Sequence, residues 1–227
     1  TGREYHCFSY YGAEDAENII ILMGSATEAA REAIDYLTSE GKKVGMISVH
    51  LYRPFSVKHL FAAVPKTVKK IAVLDRTKEP GAEGEPLYLD VKSAFYDQEN
   101  RPVIVGGRYG LGSSDITPAK IISVYNNLEL PEPKNHFTVG IVDDVTFTSL
   151  PAVEEMALGG KSIYEAKFFG LGADGTVGAN KNSVKIIGDN TDKHCQAYFS
   201  YDSKKSGGFT CSHLRFGDEP IRPTYQI

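Results

Sequence analysis

The 227-residue sequence lacks an apolar run near the roughly 20 residues that a membrane-spanning helix needs, and no signal-peptide pattern opens it. Its net charge of −4 gives no basic footprint for nucleic acid or anionic membranes. Cysteine is scarce: Cys7, Cys195 and Cys211 form an odd, widely spaced set. Such a set favours a reducing compartment, so we expect a cytoplasmic protein without nucleic-acid or membrane partners.

The overall composition is that of an ordinary globular protein, with 41% hydrophobic and 24% charged residues. The length allows one large domain or two modest ones. The chain starts at Thr1 rather than at Met, and it ends at Ile227 just as a new segment begins. We therefore expect an internal piece of a longer polypeptide.

The first part of the chain alternates strand and helix patterns. Ile19 to Met23 is a continuous apolar run, typical of a parallel strand that is covered on both faces. Ser25 with Glu28 predicts a capping box, and apolar residues at helical spacing predict a helix that ends at Gly41. Further strands are predicted at 44–49, 71–74 and 103–105, and helices at 56–64, 87–96 and 116–128. The alternation predicts an α/β fold with a parallel sheet between two helical layers.

After a proline-rich connection at 130–133, the pattern changes. A strand is predicted at 138–142, followed by an acidic turn at Asp143-Asp144. Leu158-Gly159-Gly160 predicts a domain boundary, which gives domains at 1–157 and 158–227. The second domain shows strand patterns at 164–169, 195–201 and 210–216 and a helix at about 177–187, the opening of a βαβ unit. It is too short for a doubly wound domain, so we expect a truncated second α/β domain.

The stretch FFGLGADGTVGANKNS predicts a glycine turn between a strand and a helix, and Gly170 to Gly175 matches GxGxxG. Backbone N–H groups of such a turn, together with a helix N-terminus, can hold a phosphate. A purely structural turn and a nicotinamide site, with Asp202 on the ribose hydroxyls, remain as alternatives. The candidate anion-binding residues are Gly172, Gly175, Asn180, Lys181, Asn182, Lys204 and Lys205.

Other patterns argue against metal and cofactor sites on this chain. Ala173-Asp174-Gly175 departs from the GDG signature of thiamine diphosphate enzymes, and the asparagines that follow come too early for the Mg²⁺ ligand. Cys195 and Cys211 fall within predicted strands, where buried cysteine is ordinary, so we expect no zinc site. Three scattered cysteines are too few for an iron–sulfur cluster. Asp75 and Asp143 are interpreted as cap and turn residues, and no catalytic residue is assigned.

Several stretches, in order from end to end, together resemble the pyruvate:ferredoxin (flavodoxin) oxidoreductases. In the first half they are TGR at 1–3, YYGA at 10–13, DAE at 15–17, ILMGS at 21–25, HLYRPF at 50–55, LDRTKEPG at 74–81 and GGRYGL at 106–111. In the second half they are GIVDDVT at 140–146, the glycine turn, and YDSKKSGG at 201–208.

The resemblance implies an enzyme that cleaves pyruvate with coenzyme A, giving acetyl-CoA and CO₂. Thiamine diphosphate with Mg²⁺, and [4Fe–4S] clusters that pass electrons to ferredoxin or flavodoxin, are implied for the full-length enzyme but not for this piece. The first domain resembles the C-terminal domain of transketolases, and the second resembles the front of the γ-type domain that helps to cover coenzyme A. The partners implied are the remaining domains of the same chain, with a homodimer as one assembly. A stand-alone nucleotide-binding module and a nicotinamide-type domain are the alternatives from other classes.

Overall fold

A computed structural model describes residues 2–143, 145–156, 158, 162–201 and 208–227. Contacts divide the chain into two units, unit 1 up to Leu158 and unit 2 from Gly159. Each unit has its own sheet.

Unit 1 is an α/β unit whose described residues form six strands and four α-helices. The strands are β1 (Phe8–Gly12), β2 (Asn18–Met23), β3 (Val44–Val49), β4 (Lys70–Asp75), β5 (Val103–Arg108) and β6 (Phe137–Thr138). The helices are α1 (Ala26–Ser39), α2 (Val57–Ala63), α3 (Pro86–Ala94) and α4 (Pro118–Glu129). The strand order is β1-β3-β2-β4-β5-β6, and all neighbours are parallel except β1, which runs antiparallel to β3. The predicted parallel sheet is therefore confirmed, whereas the edge strand β1 was not anticipated.

The core of unit 1 explains why β2 is apolar without interruption. Ile19 and Ile21 belong to a cluster with Leu60 of α2 and with Val91 of α3. Because side chains alternate along a strand, the residues between them face the opposite side, where α1 and α4 pack on the sheet and on each other. Residues 19–22 are fully buried, as a strand in the middle of three layers must be.

Two local predictions in unit 1 are wrong. Ser25 has helical backbone angles and makes no side-chain cap bond, so the capping box with Glu28 does not form. The hydroxyl of Thr27 instead donates to the carbonyl of Gly24 at 2.8 Å. The strand expected at 138–142 ends at Thr138, because Gly140 has a φ of +77° and the chain leaves the sheet there.

Unit 2 has a three-stranded sheet and one α-helix in its described part. Its elements are β7 (Ile163–Leu171), α5 (Thr176–Asn190), β8 (His194–Tyr201) and β9 (Phe209–Gly217). The strand order is β7-β9-β8, and β9 is antiparallel to both neighbours. β7 and β8 are therefore parallel to each other but separated by β9. This is a split βαβ arrangement rather than the adjacent parallel pair that opens a doubly wound domain.

Candidate functional site

The glycine turn joins β7 to the first turn of α5. Gly172 and Gly175 have φ angles of +61° and +91°, which residues with a side chain rarely adopt. A Cβ atom on Gly170 would collide with the side chains of Thr176 and Asp174. The three glycines of the motif are thus required by the geometry of the turn itself, with or without a ligand.

The carboxylate of Asp174 lies inside this turn. It accepts hydrogen bonds from the backbone N–H of Leu171 at 3.2 Å, from the N–H of Thr176 at 3.0 Å, and from the Thr176 hydroxyl. The Thr176 hydroxyl is the main reason that the pKa of Asp174 is lowered, and the amides add to it. The N-terminus of α5 therefore already holds an anion, one that belongs to the chain.

The backbone of the turn also binds the residue that precedes β9. The N–H of Gly172 donates to the carbonyl oxygen of Gly208 at 2.8 Å. Together with the two amides that bind Asp174, three N–H groups of the turn have partners within the chain. An external phosphate would have to rely on other donors.

The side chains at the start of α5 separate into one buried and two exposed residues. Asn180 is fully buried, and its Nδ2 donates to the carbonyl of His213 at 3.3 Å. The sequence predicts that Asn180 faces a ligand, whereas in the structure its side chain packs against β9. Lys181 and Asn182 are exposed. The other two candidates, Lys204 and Lys205, lie outside the described residues.

Lys181 lies over the face of the unit 2 sheet that α5 covers. Its Nζ lies 5.5 Å from the ring centre of Phe199 in β8. Phe199 and Phe168 both pair with Ser212 of β9, so all three side chains share this face. Lys167 is the next residue along β7, and it therefore lies on the opposite face.

A buried arginine organises that opposite face, and no local sequence pattern indicates it. Arg215 is 1% exposed, and its Nε lies 2.6 Å from Oε1 of Glu165. Its Nη1 donates to Gln196 and to the backbone carbonyl of Tyr225, at 3.1 and 2.8 Å. An arginine in a strand becomes recognisable as buried only when the strands beside it are known, because its partners are 50, 19 and 10 residues away.

The two aspartates interpreted as cap and turn residues have those roles. The carboxylate of Asp75 accepts from the N–H groups of Leu87 and Tyr88, at 3.0 and 3.1 Å, and so caps α3 from the end of β4. Burial raises the pKa of Asp75, against the effect of these two bonds. Asp143 binds the backbone and hydroxyl groups of the turn that follows it.

No candidate metal centre emerges from the part of the chain that the structure describes, where no group of three or more His, Cys, Asp or Glu side chains converges. Cys195 and Cys211 lie in β8 and β9, as predicted, and all three cysteines are free thiols. The Sγ of Cys211 is 3.6 Å from Nε2 of His213. Across the described ranges, none of the helices has the length and apolarity to cross a bilayer.

Comparison with known proteins places both units in one family. Residues 16–121 match the family model for pyruvate:ferredoxin oxidoreductase core domain II. Residues 165–227 match the model for pyruvate ferredoxin/flavodoxin oxidoreductase. The chain belongs to the pyruvate:ferredoxin (flavodoxin) oxidoreductase family. The family resemblance drawn from the sequence motifs is thereby confirmed.

Curated members of this oxidoreductase family align with the whole chain. It is 62% identical to the pyruvate-flavodoxin oxidoreductase of Enterobacter agglomerans and covers 19% of that protein. It is 60% identical to the pyruvate-flavodoxin oxidoreductase of Klebsiella pneumoniae and covers 20% of that protein. It is 56% identical to the pyruvate:ferredoxin oxidoreductase of Moorella thermoacetica and covers 19% of that protein. The chain thus spans about a fifth of the length of these relatives.

Proposed function

We propose that this chain is part of a longer cytoplasmic polypeptide that oxidises pyruvate with coenzyme A. The products are acetyl-CoA and CO₂, and the two electrons pass to flavodoxin or ferredoxin. The observation that carries the proposal is identity of 56–62% along the entire chain to relatives with these names. Unpaired thiols support the cytoplasmic location.

The described residues of this chain do not fit the cofactors that the family implies. Asp174 binds the chain's own Thr176 and Leu171, so it does not resemble a free Mg²⁺ ligand for thiamine diphosphate. The described part offers no cluster of metal-binding side chains for a [4Fe–4S] group. We therefore assign thiamine diphosphate, Mg²⁺ and the clusters to other parts of the polypeptide, and we assign unit 1 a scaffold role.

We further propose that unit 2 contributes a contact to coenzyme A through the exposed side of α5. Lys181 supplies a positive charge, and Asn182 beside it supplies an amide. Gly172 and Gly175 shape the turn from which α5 starts, but Asp174 occupies the helix N-terminus and would repel a phosphate placed there. Lys204 and Lys205 stay in the proposal as further cations, whereas Asn180 is left out because it is buried. The contact therefore depends on side-chain charge rather than on backbone amides.

The two alternative functions have less support. A nicotinamide site of the doubly wound type uses adjacent parallel strands that flank a phosphate-binding turn. In unit 2 the strand β9 lies between β7 and β8, and a carboxylate occupies the turn. The same carboxylate disfavours a stand-alone nucleotide-binding module that uses this turn.

The test compares the full-length polypeptide with the isolated 227-residue chain. Purified under anaerobic conditions, the full-length protein should reduce a viologen dye when pyruvate and coenzyme A are both supplied. The isolated chain should be inactive, because the proposal assigns the electron carriers to other parts. Reduction of the dye by the isolated chain would overturn this division of labour, and inactivity of the full-length protein towards pyruvate would overturn the proposed function.

A further inference from the structure

Residues 141–143 and 145–149, the described part of this segment, are named the Asp143 loop, and they hold apolar side chains in solvent. Val142 is 89% exposed, Val145 is 81% exposed and Phe147 is 73% exposed. Three large apolar side chains close together in one short loop differ from the single exposed apolar residues that are normal on protein surfaces. Contiguous exposed apolar side chains are typical of interaction surfaces.

The Asp143 loop is ordered by many bonds. The carboxylate of Asp143 accepts from the N–H groups of Val145, Thr146 and Thr148 at 3.1, 2.9 and 3.2 Å. It also accepts from the hydroxyls of Thr146 and Thr148. The N–H of Asp143 itself donates to the Ser149 hydroxyl at 2.8 Å. These bonds fix the described backbone from which the apolar side chains extend.

One residue of the loop has an unfavourable backbone conformation. Phe147 has a φ of +55°, in the left-handed region that bulky residues rarely occupy. Its carbonyl accepts a bond from Nζ of Lys134 at 3.1 Å, which helps to fix this conformation. Backbone strain of this kind persists where surrounding contacts hold the residue in the strained conformation, and it is found mostly at binding and switch regions. Here it directs an aromatic ring into solvent.

A groove of about 450 Å³ adjoins the loop and shares Ile141, Val142 and Ser149 with it. Its lining is mainly apolar and includes Val139, Ile141, Leu150 and Val153. The two charged side chains in its lining, those of Lys120 and Glu155, already have partners. The ammonium of Lys120 donates to the Ser114 hydroxyl and to the Asp115 carbonyl, and Glu155 accepts from the Thr117 hydroxyl at 2.9 Å. The groove therefore suits an apolar segment better than a charged ligand.

We propose that the Asp143 loop and this groove form a docking surface for an apolar segment of another domain of the same polypeptide. The proposal rests on the assignment of the chain to a longer oxidoreductase. The curated relatives are single polypeptides of which this chain covers about a fifth. The remaining four fifths are covalently tethered and are therefore present at high effective concentration. Tethering lets a small apolar surface be covered without high intrinsic affinity.

Photo-cross-linking identifies the occupant. Phe147 is replaced by the photoreactive aromatic p-benzoylphenylalanine, both in the full-length protein and in the isolated chain. After irradiation, mass spectrometry of the full-length sample should find the cross-link to a peptide outside these 227 residues, in a band with the mobility of a single polypeptide. A cross-link to a second copy, or no cross-link in the full-length protein, would overturn the proposal. The readout needs no turnover, so it is independent of whether pyruvate is the substrate.

A second measurement uses amide hydrogen exchange of the Asp143 loop. Exchange should be slower in the full-length protein than in the isolated chain, and Phe147→Asp should remove this difference. Tyr96→Asp is the matched control, because Tyr96 is 72% exposed in unit 1 but lies outside the loop and the groove. It should leave the difference intact. Equal exchange of the loop in the two wild-type proteins would contradict the proposal.

Discussion

Replacement of Lys181 by alanine in the full-length enzyme tests the proposed coenzyme A contact. The ammonium of Lys181 lies 5.5 Å from the centre of the Phe199 ring on an exposed part of α5. A cation–π contact at an exposed site contributes about 0.5–1 kcal/mol, so the variant should fold. A charge-assisted hydrogen bond to phosphate contributes about 1.5–3 kcal/mol. We therefore expect KM for coenzyme A to rise roughly 10- to 100-fold.

The matched control is Lys167→Ala. Nζ of Lys167 lies 5.8 Å from the ring centre of Phe169, a contact like that of Lys181, but on the face of the sheet away from α5. Its loss should leave KM for coenzyme A unchanged. Initial rates of viologen reduction are measured for both variants against coenzyme A concentration at saturating pyruvate. An unchanged KM in Lys181→Ala, or an equal rise in both variants, would refute the contact and leave the glycine turn a structural element.

Three further predictions concern the isolated chain. Amide hydrogen exchange should be slower in unit 1 than in unit 2, because among the described residues of unit 2 only Leu214 is a buried apolar side chain; equal protection would contradict this. Urea denaturation of Ile21→Ala should show a loss of about 2–5 kcal/mol, since Ile21 is fully buried, whereas Val142→Ala should stay within about 0.5 kcal/mol. Hydrogen bonds from hydroxyl and amide groups, above all from the Thr146 hydroxyl, lower the pKa of Asp143. The ionised Asp143 carboxylate therefore stabilises the fold, and this stabilisation should be lost progressively as the pH falls below about 4. Asp143→Asn should weaken that loss of stability in acid.

The sequence predicts the sheet of unit 1 well because its strands obey simple rules. β2 is a continuous apolar run that lies between two helical layers, and the strand predicted at 44–49 coincides with β3. The edge strand β1 is hard to predict because only Phe8 is buried and the three residues after it are partly buried, which blurs the alternation of apolar and polar side chains. The short β6 depends on a turn at Gly140 whose backbone angle cannot be inferred from the residue type alone.

The candidate site was less predictable because its geometry depends on pairing between distant residues. GxGxxG identifies a tight turn correctly, but not which group occupies the helix N-terminus. Asp174 could be seen there only once its bonds to Thr176 were known. Asn180 resembles a surface residue in the sequence, yet β9 lies close enough to bury it and to accept its hydrogen bond. The strand β9 lies between two strands that precede it in the chain, and no local sequence pattern predicts such long-range pairing.

The most direct test of the proposed function is joint formation of the products by the full-length polypeptide. The protein is incubated anaerobically with pyruvate, coenzyme A and oxidised flavodoxin or ferredoxin, and acetyl-CoA, CO₂ and the reduced carrier are measured together. The proposal predicts that all three appear together, that omission of either substrate abolishes acetyl-CoA, and that the isolated 227-residue chain forms none of them. Failure of the full-length protein to form acetyl-CoA from pyruvate, or its formation by the isolated chain, would contradict the account.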